Sequence, residues 1–193
     1  MAVGPSYDAA AMQAFERANA QTLRWLWFLG DVHGEFSHIE PALKAVQLAN
    51  TLPAWLVFLG DVDIEHKPFR EYLQPLCARH PDLRVAFIHG NRDADTHEYW
   101  ACLHDCGEVV ALHACVVDLG GIRVTGIGGN FQERVWTPPA VLTFANKAAA
   151  TARGPCGWRG GQRPNPKLQT AIYQQDVAMH KELSKRTGVA VYF

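Results

Sequence analysis

Asp31 with His33, Asp61, and Asn91 with Arg92 are the groups in this chain whose types and spacing could do chemistry. Each follows a short apolar run and a glycine: Trp25-Leu26-Trp27-Phe28-Leu29-Gly30-Asp31-Val32-His33-Gly34, then Trp55-Leu56-Val57-Phe58-Leu59-Gly60-Asp61, then Val85-Ala86-Phe87-Ile88-His89-Gly90-Asn91-Arg92-Asp93. Asp31 and His33 lie two positions apart on one turn, so both can reach one cation. Asp61, from the neighbouring strand, can bridge that cation and a second, to which Asn91 offers a neutral amide oxygen. Carboxylate, imidazole and amide together suit hard or borderline divalent ions. Two such ions about 3.5–4 Å apart lower the pKa of a shared water and stabilise charge on phosphoryl oxygens, so no protein nucleophile is needed. Asp and Asn also follow strands simply as turn formers. Three such turns in order, joined by His33, are poorly explained by turn chemistry alone.

The elements that must position these residues can be read from the same runs. Each run is short, bulky and bounded by a turn, as expected of a strand buried on both faces of a parallel sheet. The glycine lets the chain turn where the strand stops, placing the next residue at the carboxyl end, where open α/β sheets bind ligands. Two Trp-Leu-x-Phe-Leu-Gly-Asp-Val copies lie 30 residues apart, the length of one βαβ unit. Helices are expected over 8–21, over 41–49 with Ser37 as cap, over 68–79, and from Asp95 or Thr96 to near Gly107. Short strands over 109–112, 115–119 and 122–127 should form antiparallel hairpins that begin a second sheet. Residues 139–150 and 167–186 read as further helices, and 188–193 as a last strand.

The ordered motifs G-D-x-H-G, G-D and G-N-x-D resemble those of the calcineurin-like metallophosphoesterases. The first, Gly30-Asp31-Val32-His33-Gly34, is most similar to the branch holding protein Ser/Thr phosphatases and diadenosine-tetraphosphate hydrolases. The stretch Gly120-Gly121-Ile122-Arg123-Val124-Thr125-Gly126-Ile127-Gly128-Gly129-Asn130 is similar to a hairpin and loop that many members carry. The resemblance covers roughly residues 24–130. It implies an α/β fold of the α/β/β/α sandwich type and two divalent metals (Mn²⁺, Fe²⁺ or Zn²⁺) at Asp31, His33, Asp61 and Asn91. It also implies hydrolysis of a phosphomonoester, phosphodiester or pyrophosphate in a phosphoprotein, nucleotide or dinucleotide. Two departures stand out. Many members have histidine after the asparagine, taken to protonate the leaving oxygen. Here Arg92 can bind phosphate and meet its charge but cannot release a proton near neutral pH. Relatives that cleave nucleotide-linked lipid pyrophosphates are similar in having arginine there. The later G-H-x-H turn of the family is absent from the sequence, so the chain is expected to be truncated relative to it. A non-catalytic binding module that has lost the later ligands is the alternative.

Composition bounds the remainder. The 193 residues read as one domain, with a helical extension over 1–23 and a Gly/Pro/Arg-rich loop over 151–167. The net charge of −1 gives no global pull toward nucleic acid or a membrane surface. No run of 18 apolar residues and no basic-then-apolar leader occur, and the five cysteines are odd in number and irregularly spaced. Those features fit a soluble cytoplasmic protein with free thiols. Cys102, His104 and Cys106 do not have zinc-ligand spacing. His89 is expected as a hydrogen-bonded core residue within the third strand, and His113 and His180 as surface or strand-end histidines. Asp63 lies one place off the usual second acid of the family and receives no role, while Asp93 should pair with Arg92 or begin the next helix. An apolar last strand without its neighbours should favour self-association.

Overall fold

The structure, a computed structural model, describes residues 25–49, 51–139, 141–152, 165–189 and 191–192. The helix expected over 8–21 and most of the Gly/Pro/Arg-rich loop lie outside the described residues. Strands β1 (Trp25–Leu29), β2 (Pro53–Leu59), β3 (Arg84–Ile88) and β4 (Val110–Ala111) form a parallel sheet in that order. Helices α1 (Ile39–Gln47) and α2 (Phe69–Arg79) are the crossovers, and α3 (His97–His104) follows β3. Both faces of β2 and β3 are covered, which accounts for their unbroken apolar runs. Leu56, Phe58, Val85 and Phe87 pack with Ile39, Leu43, Phe69, Leu73 and Leu103 on the helical side. Val57, Ala86 and Ile88 pack on the other side with Leu112, Leu119 and Val124.

That second core joins the parallel sheet to a smaller one of β5 (Val116–Asp118), β6 (Arg123–Thr125) and β9 (Val191–Tyr192). β5 and β6 form the expected antiparallel hairpin, and β9 adds in parallel to β6. Helix α5 (Gln174–Thr187) lies against β5 and β6, giving an α/β architecture with two packed sheets.

Five local expectations need correction. The run 109–112, expected in an antiparallel hairpin of the second sheet, instead supplies β4 of the parallel sheet, because Val110 and Ala111 pair in parallel with Ala86 and Phe87. Helix α1 starts at Ile39 with His38, not Ser37, at its N-cap and with no side-chain cap; Ser37 lies one residue too early and donates its amide to Glu35 Oε1 at 2.8 Å. Residues 139–150 are not one helix. Within them β8 (Val141–Leu142) pairs with β7 (Trp136–Thr137), and α4 (Lys147–Ala152) begins where Asn146 Oδ1 accepts from Ala149 N. At the described ends of the loop expected over 151–167, Thr151 and Ala152 are helical and Pro166–Gln169 form a 3₁₀ turn. The helix expected over 167–186 is therefore split into that turn and α5, because Ala171 between them bridges to Asn130.

Candidate metal centre

The carboxyl rim of the parallel sheet is built by hydrogen bonds that continue the β1–β2 ladder past the strands. His33 N donates to Asp61 O at 3.1 Å and Gly34 N to Val62 O at 2.8 Å. The two turns consequently run side by side and carry Asp31, His33, Asp61 and Asp63 on adjacent paths. All four residues have left-handed backbones, with φ of 50°, 46°, 48° and 51°. Non-glycine residues rarely adopt this region, and its clustering at one site marks stored strain. The third turn comes equally close. A Cβ on Gly60 would lie 2.8 Å from Gly90 Cα, and a Cβ on Gly90 would collide with the Asp61 carboxylate and amide. Glycine is required at Gly90 for approach rather than for φ.

Asp31, His33 and Asp61 each place a ligand atom within 4.8 Å of the others, and they are the one such group of acidic, histidine or cysteine side chains among the described residues. Asn91 is exposed and opens a 3₁₀ turn over Arg92–Ala94; it lines a hollow of about 360 Å³ with Asp31 and Asp61. Arg92 donates its amide to Asp61 Oδ1 at 2.9 Å, and its Nε lies 3.2 Å from Asp63 Oδ2.

Asp63, which received no role from its sequence position, is the hub of this arrangement. The same Oδ2 lies 2.6 Å from His33 Nδ1, and the Asp63 side chain is only 8% exposed. With His33 Nδ1–H donating to that carboxylate, Nε2 keeps its lone pair for a cation. The hydrogen bond also raises the His33 pKa above its ordinary value. Oδ1 of Asp63 is buried without a hydrogen-bond partner. The readable signal was the two-residue spacing of Asp61 and Asp63, which repeats that of Asp31 and His33 one strand over.

Asp93 is fully buried and neither pairs with Arg92 nor starts α3. Its Oδ1 accepts from Val62 N at 2.8 Å and Asp63 N at 2.9 Å, and its Oδ2 accepts from Gly90 N at 2.7 Å. One carboxylate thus fastens the β2 turn to the β3 turn. Burial pushes its pKa up to about 6, against the pull of those three amides.

The other histidines are placed elsewhere. His89 lies just past β3, and its buried Nε2 has no hydrogen-bond partner, contrary to expectation. It packs instead against the Trp100 and His113 rings, and burial holds it neutral, with a pKa down to about 2. His113 Nδ1 accepts from Gly128 N at 3.0 Å, and its ring faces a separate hollow shared with Trp100, His104 and Lys147. Neither His113 nor His180 joins the Asp31 group. The Cys102, His104 and Cys106 side chains do not converge either.

Fold and rim together define an α/β protein with a candidate carboxylate–imidazole cation site at the ends of its parallel strands. The chain matches the calcineurin-like phosphoesterases over residues 24–175 and belongs to that family. It is also similar to an uncharacterized protein of Haemophilus influenzae, at 31% identity over 153 residues. That match covers 78% of this chain and 62% of the relative, so the chain spans less than two thirds of the relative's length. Divalent-metal binding is typical of the family, and Asp31, His33 and Asp61 form the candidate site for it. No described helix is long and apolar enough to cross a membrane.

Proposed function

We propose that the protein hydrolyses a phosphomonoester, phosphodiester or pyrophosphate at a cation site formed by Asp31, His33 and Asp61, with Asn91 serving a second cation. The carrying observation is the convergence of those three side chains beside an arginine that Asp63 holds in place. The donor set fits Mn²⁺, Fe²⁺ or Zn²⁺, because one imidazole is present and its free nitrogen is fixed by Asp63. When bound, such cations supply Lewis acidity toward phosphoryl oxygen and a water of lowered pKa.

The chain's own residues then have separable tasks. Asp61 orients one carboxylate oxygen on the Arg92 amide and leaves the other for the cations. Arg92 has its Nε on Asp63, so its terminal nitrogens are available to bind phosphate and meet charge developing on it. It cannot protonate a leaving group, so that proton comes from water or another acid. A polar groove of about 520 Å³ runs from His33 and Arg92 past Glu65, Tyr72 and Tyr99, and offers room for the organic part of a nucleotide, dinucleotide or phosphopeptide. The free cysteines Cys77, Cys102, Cys106 and Cys115 support a reducing, cytoplasmic setting.

The test is turnover of p-nitrophenyl phosphate, its diester and dinucleotide polyphosphates with Mn²⁺, Fe²⁺ or Zn²⁺. Asp61→Asn should lose the activity, and wild-type turnover in that variant at saturating Mn²⁺ overturns the assignment. One observation favours the second reading, a cation-binding module without turnover: among the described residues only Asp61 and Asn91 are offered to the second cation. Tight Mn²⁺ uptake with no turnover of any of these substrates would select it.

A further inference from the structure

The 3₁₀ turn Pro166–Gln169 lies far along the chain from the rim, yet its lysine reaches the rim directly. Lys167 Nζ donates to Asn91 O at 2.8 Å and forms an ion pair with Asp95. The Thr170 hydroxyl, fully buried, approaches the same carbonyl at 3.4 Å. Asn91 O belongs to the peptide group whose other end is Arg92 N–H, and that N–H donates to Asp61 Oδ1 at 2.9 Å. One peptide plane thus has an ammonium on its oxygen and a carboxylate on its hydrogen. A cation at the carbonyl polarises the peptide and strengthens the hydrogen bond at the far end. The lysine is itself anchored: its amide donates to Asn165 Oδ1 at 2.9 Å, and its carbonyl accepts from Gln132 Nε2 at 2.9 Å.

We infer that Lys167 is a positioning residue for Asp61, acting through the Asn91–Arg92 peptide to hold the carboxylate in its cation-binding orientation. The inference rests on the proposed cation site at Asp31, His33 and Asp61. Charge is balanced by Asp95, so Lys167 fixes geometry without adding net repulsion toward a cation. Lys167→Met removes the donor and keeps the aliphatic stem. Lys167→Gln keeps an N–H donor, one bond shorter and without the charge, and Asp95→Asn removes the counter-ion while leaving the bond to Asn91 O.

The experiment has two arms on the folded protein. In the metal-free protein, amide hydrogen exchange at Arg92 should be faster in Lys167→Met than in wild type, with Lys167→Gln between them. In a Mn²⁺ titration followed by electron paramagnetic resonance, the tight dissociation constant should rise on the order of three- to tenfold in Lys167→Met. That is less than the roughly 10–100-fold typical of groups bonded directly to a ligand. Asp95→Asn should stay within about twofold of wild type. Unchanged Arg92 exchange in Lys167→Met overturns the inference whatever the metal does, as does unchanged Mn²⁺ affinity. Wild-type protein that takes up no Mn²⁺ overturns the proposed cation site instead, while the exchange arm still decides whether Lys167 holds this peptide. If Lys167→Met does not fold, the same two criteria apply to Lys167→Gln.

Discussion

One oxygen of Asp63 meets both the His33 ring at 2.6 Å and Arg92 Nε at 3.2 Å, so a single carboxylate sets the tautomer of one group and the aim of another. This has a pH signature in the metal-free protein. The His33 pKa is raised chiefly by that hydrogen bond, so the pair contributes stability fully below about pH 6.5. The contribution is lost as pH rises through the higher folded-state value. Burial lowers the pKa of His89, His104 and His113, which acts in the opposite sense, so the informative quantity is a difference between proteins. The melting temperature of wild type minus that of Asp63→Asn should therefore shrink as pH rises above about 6.5. A difference that is flat or grows with pH would show that His33 and Asp63 do not interact in solution. Asp63 was hidden in the sequence because family spacing was the guide. Its role depends on left-handed backbones at Asp61 and Asp63, which no aspartate announces.

At the scale of elements, the three strands and their turns were legible because an unbroken apolar run, a glycine and a ligand coincide three times. That these three strands run parallel follows from the crossover helices between the runs, whereas the fourth strand, Val110–Ala111, was expected in the other sheet. The region after Trp136 was not legible. Its strands are two residues long, and the break between Pro166–Gln169 and α5 depends on Ala171 meeting Asn130, a contact with no local sequence signal. Asp93 was missed similarly, since its three amide partners come from two turns about 30 residues apart in the chain. The close approach of the turns predicts a contrast between two glycines. Gly90→Ala should destabilise the protein by about 1–3 kcal/mol or more and weaken Mn²⁺ binding, because the added methyl displaces Asp61. Gly30→Ala, with nothing within 4 Å of its Cβ, should stay within about 0.5 kcal/mol. Urea denaturation of both variants is the measurement, and equal effects would mean that the turns are not packed as described.

For the molecule as a whole, the proposed site offers three ligands to one cation and only Asp61 and Asn91 to a second, so the 193-residue chain should retain one metal per protein after dialysis. β1 is an edge of the parallel sheet among the described strands, and Trp25 on it is 57% exposed. Such an edge invites pairing, so light scattering on the dialysed sample should show concentration-dependent self-association. Two tightly held metals on a strict monomer would contradict both statements and reopen the search for further ligands. The ladder bonds from His33 to Asp61 and from Gly34 to Val62 also limit how far Asp31 and His33 can separate from Asp61. A mouth held at fixed width by backbone hydrogen bonds discriminates among ions by radius. Calcium, which seeks six to eight oxygens at about 2.3–2.6 Å, would meet one imidazole and two carboxylates on turns that these bonds keep from opening to admit more, so millimolar calcium should leave this site to smaller ions.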